Sequence, residues 1–164
     1  MEELKVGQVV VTKQIENSEN YERFIEIVKE KKIKVRQVKN GDRVDIEENL
    51  FFDILWPLEK QITENPLNNN SMIAKLQYLD FSMLFTGDIE KIAEQEILKN
   101  VTEEELKTDI LKVAHHGSNT SSIEEFLNMV KPQIALIGVG KNNNFGHPTT
   151  EVLKRLENLR YSNL

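Results

Sequence analysis

The chain has 164 residues, which predicts a single domain that can bury a hydrophobic core. With 39% hydrophobic and 29% charged residues, no apolar run near the roughly 20 residues of a membrane span and no signal-peptide pattern, we expect a soluble chain. Its net charge of −6 argues against general electrostatic binding of nucleic acid, although it does not exclude an enzyme that meets a phosphate backbone only at a metal. The lack of cysteine excludes disulfides, thiolate metal sites and cysteine nucleophiles.

The first half of the chain is predicted to form short strands around one helix. A strand over residues 8–12 precedes a helix over residues 20–31, in which apolar residues recur at helical spacing. Residues 33–38 alternate between apolar and polar, and an Asn40-Gly41-Asp42 turn leads to a second strand over residues 43–46. Residues 50–56 form an apolar strand that Pro57 ends, and residues 59–70 are a polar loop.

Strands and helices alternate in the second half. Residues 71–78 and 81–85 predict a hairpin around Leu79-Asp80. Thr86-Gly87-Asp88 ends its second strand, and a helix follows over residues 89–99. A buried strand over residues 109–114 runs into His115, and Ser122 with Glu125 resembles a capping box that begins a helix to about residue 130. Another strand over residues 133–139 and a last helix from near Pro148 complete the pattern, which predicts an α/β or α+β layered domain over residues 1–164.

Asp88 and the three histidines of the chain, His115, His116 and His147, share one kind of position. Each follows an apolar strand or the loop that leaves one. Where neighbouring strands lie in one sheet, their ends can converge on one rim, and strand-end side chains can then build a metal site. A carboxylate with imidazoles suits Zn, Mn or Fe(II), and such a site can activate water for hydrolysis.

Each of these residues also has a simple structural interpretation. Asp88 is a preferred N-cap residue for the helix that follows it, and His147 can cap the last helix. The His115-His116 pair can be a polar strand end in front of a turn, and residues 68–70 can be a plain turn. The group is more informative than its members.

Four motifs follow one another in the second half of the chain. They are Asn70-Ser71-Met72-Ile73-Ala74-Lys75-Leu76, Leu84-Phe85-Thr86-Gly87-Asp88, Ile110-Leu111-Lys112-Val113-Ala114-His115-His116-Gly117-Ser118, and Gly146-His147-Pro148-Thr149. In order and spacing they closely resemble the C-terminal half of the metallo-β-lactamase-like domain of bacterial competence proteins of the ComEC type. The resemblance is strongest over residues 68–159, and residues 8–56 fit the same domain more loosely.

The resemblance implies an αββα sandwich with a dinuclear site for Zn or Mn at one edge. Asp88 matches the carboxylate that bridges the two metals. His115, with His116 as its neighbour, matches the conserved pair of the family, at which we expect one metal ligand or transition-state contact. His147 matches a late metal ligand or phosphate contact, while Ser118 and residues 68–70 would line the mouth. We therefore expect Asp88, His115, His116 and His147 to be catalytic, with Asp88, His115 and His147 as metal ligands.

The principal metal motif of the family, His-x-(His/Asp)-x-Asp-His, is absent, because no histidine precedes His115. A dinuclear site needs several ligands around each ion, so the retained groups would leave both ions under-coordinated. The multi-helix membrane region of these competence proteins is missing from the sequence as well. We therefore expect a partial αββα sandwich without its N-terminal strands and metal motif, which can leave this chain without a bound metal.

Three functional interpretations follow. In the first, the chain is the C-terminal portion of a metal-dependent hydrolase domain, of phosphodiesterase or nuclease type, from a competence protein involved in DNA uptake. DNA, single-stranded or duplex, would be the partner of the intact protein at the cell membrane, with this domain outside the cytoplasm. Alone, the chain would be inactive and would not bind nucleic acid strongly.

In the second interpretation, the chain is a non-catalytic module that forms a homodimer through an exposed sheet edge. In the third, Asp88, His115 and His147 hold one metal ion in a small standalone hydrolase.

Overall fold

Two β-sheets and a set of helices form the mixed α+β fold of this chain, in a computed structural model that describes residues 4–14 and 16–161. The strands are β1 (Gln8–Val11), β2 (Lys34–Gln37), β3 (Arg43–Glu47), β4 (Leu50–Trp56), β5 (Ile73–Tyr78), β6 (Phe81–Phe85), β7 (Ile110–Lys112) and β8 (Ile134–Leu136). The helices are α1 (Glu19–Glu30), α2 (Pro66–Asn69), α3 (Lys91–Asn100), α4 (Glu103–Leu106), α5 (Glu124–Val130) and α6 (Thr150–Tyr161). The predicted α+β class is confirmed, while the partial αββα sandwich stays a prediction. Within the described ranges, no helix has both the length and the apolar character needed to span a bilayer.

The larger sheet has the strand order β3-β4-β5-β6-β7-β8. Its first four strands pair antiparallel, whereas β6, β7 and β8 run parallel to one another. Because the carboxyl ends of parallel strands meet at one edge, the segments that follow β6, β7 and β8 all begin at the same edge of the sheet. This topology positions the candidate site.

One face of the larger sheet is covered by helices. Leu84 of β6 and Leu111 of β7 are paired neighbours whose side chains lie in the main hydrophobic core. Helices α3, α5 and α6 contribute Ile97, Phe126 and Val152, all of which are buried. Packing these apolar stripes against the sheet supplies most of the stabilisation of the domain, because burying apolar area is the dominant favourable term.

The opposite face of the larger sheet is apolar but only partly covered. The small parallel sheet of β1 and β2 packs near one end of it, where Val38 contacts a cluster that includes Ile54 and Ala74. Strand pairing continues this face as a row that crosses five strands and consists of Phe52, Leu76, Met83, Ile110 and Ile134. At the β8 end the row is open to solvent, with Ile134 52% exposed and its neighbour Leu136 45% exposed.

The predicted capping box at Ser122 and Glu125 is wrong. Ser122 adopts a left-handed conformation, and helix α5 begins one residue later, after Ile123, without a side-chain cap. The backbone amides of Ser122 and Ile123 instead donate to the buried carboxylate of Glu94 on α3, at 2.6 and 2.9 Å. A carboxylate from another element can satisfy the free amides at a helix start as well as a local serine can. The capping box that does form, between Thr102 and Glu105, begins α4.

Candidate functional site

Asp88, His115, His116 and His147 lie together beyond the carboxyl edge of β6, β7 and β8. The backbone amide of His115 donates to the carbonyl of Gly87 at 3.0 Å, which joins the segment after β7 to the segment after β6. The His116 Nε2 atom lies 3.6 Å from Asp88 Oδ1, and the rings of His115 and His147 are 6.0 Å apart, edge to face. The structure thus brings together all four residues that the sequence singled out, although their chemical roles stay a prediction.

The segment after β7 turns sharply, and the strand predicted to reach residue 114 ends at Lys112. His115, His116 and Gly117 all have positive φ angles of 47°, 55° and 82°. Two successive non-glycine residues in the left-handed region are unusual, and each costs on the order of 1 kcal/mol or more. Strain of this kind is typical of functional sites, where the surrounding structure fixes an unfavourable turn to aim particular side chains.

The loop that carries His147 is held by Asn143. The Asn143 side chain accepts a hydrogen bond from the His147 amide at 3.0 Å and donates one to the His147 carbonyl at 2.9 Å. The exposed ring of Phe145 stacks on the His147 ring, with centroids 5.9 Å apart. His147 Nδ1 is buried and has no hydrogen-bond partner among the described residues, so this imidazole is fixed by its backbone and by ring contacts.

Two carboxylates at this edge, Asp88 and Glu90, each lie near an imidazole. Asp88 faces His116, which is also fixed by a 2.6 Å hydrogen bond from Nδ1 to the Gly138 carbonyl. Glu90 faces His115, with 3.6 Å between Oε1 and Nδ1. Within residues 4–14 and 16–161, no three His, Asp or Glu side chains are arranged to hold a metal ion. The residues present therefore do not fit a complete metal centre, and the proposed ligand set of Asp88, His115 and His147 stays a prediction.

The asparagine run before β5 supports the site from inside. Asn69 and Asn70 are buried, so residues 68–70 are not a plain turn at the surface. Asn69 Oδ1 accepts from the Glu90 amide at 3.1 Å, and its Nδ2 donates to the Glu64 carbonyl at 2.9 Å. We expected residues 68–70 to line the mouth of the site. Asn69 and Asn70 instead lie inside the protein, where they hold neighbouring backbone segments in place. Ser118 is likewise buried, with Oγ 3.0 Å from Thr120 Oγ1.

A buried carboxylate anchors the loop between Ser118 and α5. Glu94 has no exposed surface, and its burial raises the pKa of its carboxyl group to about 7, against the opposing effect of two backbone hydrogen bonds. Arg155 of α6 also reaches this loop, where its Nη1 donates to the carbonyls of Ser121 and Ser122 at 2.8 and 3.1 Å. The loop carries Thr120 toward His115, so Glu94 and Arg155 fix one wall of the site.

No protein-family model matches the chain. It is 35% identical over 153 residues to ComE operon protein 3 of Bacillus subtilis, an alignment that covers 93% of this chain and 19% of that protein. It is 34% identical over 109 residues to Recombination protein 2 of Haemophilus influenzae, covering 66% of this chain and 13% of that protein. It is 32% identical over 105 residues to Competence protein ComA of Neisseria gonorrhoeae, covering 64% of this chain and 15% of that protein.

The chain is similar to competence-related proteins. The competence part of the resemblance found in the sequence motifs is thereby confirmed, while its metallo-β-lactamase-like part stays a prediction. The chain spans less than one fifth of the length of the relatives it matches. The similarity alone therefore does not assign the activities of the whole proteins to this chain.

Sequence reasoning missed two residues that the structure places at the site, Glu90 and Thr120. The Thr120 hydroxyl lies 3.2 Å from Glu90 Oε1 and 3.4 Å from His115 Nδ1. A signal was present in the sequence, because Glu90 lies two residues after Asp88 and Thr120 two residues after Ser118. Neither residue stands directly at a strand end, which was the criterion that selected the others.

Proposed function

We propose that this chain is the C-terminal portion of a metal-dependent hydrolase domain, of phosphodiesterase or nuclease type, in a competence protein that takes part in DNA uptake. The observation that supports it best is the convergence of Asp88, His115, His116 and His147 at one sheet edge. Carboxylates and imidazoles at a strand edge can bind a cation or hold and move protons beside a phosphodiester. The similarity to competence-related relatives supports DNA as the proposed substrate class.

Under this proposal, the chain has no hydrolase activity by itself. The described part of the chain has no group of three metal-binding side chains, and no histidine precedes His115 in the sequence. A catalytic metal site commonly needs three protein ligands and a correctly oriented second shell. The remaining ligands would have to come from outside the part of the chain that the structure describes.

A chimera tests the proposal. The 153 residues of this chain that match ComE operon protein 3 replace their counterpart in that protein in Bacillus subtilis, and the transformation frequency is measured. We expect the intact chimera to support transformation, and the Asp88→Ala, His115→Ala and His147→Ala chimeras to lower its frequency by about 10- to 100-fold. Asp80→Ala, at the exposed turn between β5 and β6, is the matched control and should transform like the intact chimera. Equal transformation by all variants, at equal protein levels, would show that these residues have no catalytic part.

A second candidate function, self-association as a non-catalytic module, is favoured by the uncovered apolar face of the larger sheet. Tyr78, Phe81, Ile134 and Leu136 are each more than 40% exposed on this face. A second copy can pack face to face on it, since sheets with apolar faces stack about 10 Å apart and a two-fold contact covers both copies at once. The open face, in addition to the sheet edge considered in the sequence, therefore offers a surface for a homodimer.

Sedimentation equilibrium over a concentration series tests this second function. A homodimer should form in a concentration-dependent way and dissociate in Leu136→Lys, because burying an unpaired ammonium in the interface is costly. Leu67→Lys is the control, because Leu67 is a similarly exposed leucine that lies on α2 and not on the uncovered face of the larger sheet. This substitution should leave the association unchanged. A protein that stays monomeric at every concentration would exclude self-association.

A further inference from the structure

Glu90 is the N-cap residue of α3, but its side chain makes no cap hydrogen bond and is held by other polar groups. Its side chain is 20% exposed. Oε2 accepts from Asn65 Nδ2 at 2.9 Å and from Asn69 Nδ2 at 3.4 Å. Oε1 accepts from the Thr120 hydroxyl at 3.2 Å and lies 3.6 Å from His115 Nδ1. Two amides from the loop beneath the site thus fix the carboxylate on one side, and the Thr120 and His115 side chains meet it on the other.

The direction of these hydrogen bonds determines where the His115 proton lies. Two groups besides His115 face the Thr120 hydroxyl, the Glu90 carboxylate at 3.2 Å and Ser118 Oγ at 3.0 Å. A carboxylate only accepts, whereas the Ser118 hydroxyl can donate its own proton to Thr120 while its oxygen accepts from the Thr120 amide at 3.3 Å, so the arrangement that satisfies all three groups directs the Thr120 proton to Glu90. With that proton committed, Thr120 Oγ1 can only accept from His115 Nδ1, which lies 3.4 Å away. Both groups that face Nδ1, the Glu90 carboxylate and the Thr120 oxygen, are therefore acceptors. In this arrangement, two acceptors near Nδ1 favour the neutral imidazole that carries its proton on Nδ1.

We propose that Glu90 is a positioning residue that fixes the Nδ1–H tautomer of His115, directly and through Thr120, and so leaves Nε2 as the basic nitrogen of the site. The orientation of an imidazole by a carboxylate on its other nitrogen is a recurrent device in both general-base and metal-binding histidines. The use of Nε2 in catalysis rests on the function proposed above, whereas the tautomer is a property of this chain alone. Asn65 and Asn69 hold the Glu90 carboxylate in place.

Two-bond ¹H–¹⁵N correlation spectra of the ¹⁵N-labelled chain at alkaline pH test the proposal. The sequence has only three histidines, so each ring gives an assignable pattern. We expect His115 to show the Nδ1–H pattern in the wild type and to shift toward the Nε2–H form that free imidazole favours in Glu90→Ala. Glu90→Gln keeps an oxygen that can accept from Thr120 and should largely restore the Nδ1–H pattern. The spectra need neither metal nor substrate, so failure of this proposal is distinct from failure of the proposed hydrolase function.

Controls separate positioning from a general loss of structure. Glu96→Ala removes an exposed carboxylate from the same helix, where it pairs with Lys99, and should leave the His115 pattern unchanged. The His116 pattern should stay Nδ1–H in all these variants, because its Nδ1 donates to the Gly138 carbonyl at 2.6 Å. If Glu90→Ala fails to fold, the pair Thr120→Ala and Thr120→Ser provides the test, since only serine keeps the hydroxyl. An Nε2–H pattern for His115 in the wild type, or a pattern that neither Glu90→Ala nor Thr120→Ala changes, would overturn the proposal.

Discussion

At Gly117 the chain lacks a side chain where another segment comes close. A Cβ atom at this position would lie 2.7 Å from Pro148 Cβ and 3.0 Å from Pro148 Cα, and its φ angle is +82°. The Thr149 amide donates to the Gly117 carbonyl at 2.9 Å, which ties the His147 loop to the His115–His116 turn. Glycine therefore permits both the turn and the approach of the loop that carries His147.

Gly117→Ala should destabilise the fold by about 1 to 3 kcal/mol, because a Cβ is strained at this φ angle and clashes with proline. Chemical denaturation followed by circular dichroism measures the change. Gly140→Ala is the control, since nothing lies within 4 Å of its added Cβ, and it should change the free energy of unfolding by less than about 0.5 kcal/mol. Equal effects of the two substitutions would contradict the close packing described here.

Glu94 gives stability a distinctive pH dependence. The pKa of its carboxyl is raised from the ordinary 4.5 to about 7 in the folded state, so the folded state binds a proton more tightly than the unfolded state does. The stabilisation linked to this group is fully present below about pH 4.5 and is lost as pH rises through 7. Relative to Glu94→Gln, the wild type should lose on the order of 3 kcal/mol of unfolding free energy over that window. Urea titrations of both proteins across this pH range measure it, and a difference that grows in favour of the wild type with rising pH would show that the carboxylate is stabilised as the anion.

The sequence allowed Asp88, His115, His116 and His147 to be found because each follows a strand that is readable from its apolar residues. Glu90 and Thr120 could not be found in this way, since their contacts join segments 30 residues apart. The pKa of Glu94 was equally hidden, because it depends on burial and on amides 28 and 29 residues further along the chain.

Among the elements, the segment before β5 differs most from its prediction. Residues 59–70 read as a polar loop, yet the segment contains α2 and two buried asparagines. The indole Nε1 of buried Trp56 donates to the Asn69 carbonyl at 2.7 Å, so the end of β4 and this segment are packed together. A polar sequence is compatible with burial here because each amide finds a backbone partner.

Asn69→Ala should lower the free energy of unfolding by about 2 to 3 kcal/mol, because it leaves the Glu90 amide and the Glu64 carbonyl without their partner. Asn68→Ala is the neighbouring control: its backbone carbonyl still accepts from the Ser71 amide, and we expect a change of less than about 0.5 kcal/mol. Thermal unfolding of the two variants side by side distinguishes them. A similar loss from both would mean that the run acts as a surface turn.

At the scale of the whole molecule, the fold class and most element positions could be predicted from the sequence, whereas element ends could not. Strand β8, for example, is Ile134–Leu136 rather than residues 133–139, because only that part pairs with β7. The order of the strands, and which face of the larger sheet the helices cover, depend on pairing between distant segments. The spacing of apolar residues along the sequence does not reveal that pairing. The apolar row that ends at Ile134 became visible only with the strand register.

Asp88, His115, His116 and His147 are, in our proposal, one part of a metal centre that the described residues do not complete. Metal analysis after purification, followed by calorimetric titration with Zn²⁺ and Mn²⁺, tests this claim most directly. We expect no stoichiometric metal in the purified chain and only weak binding that Asp88→Ala barely changes, since no three described side chains are arranged as ligands. One equivalent of tightly retained metal, lost in Asp88→Ala and His147→Ala, would contradict the account and establish the chain as a metal-binding unit by itself.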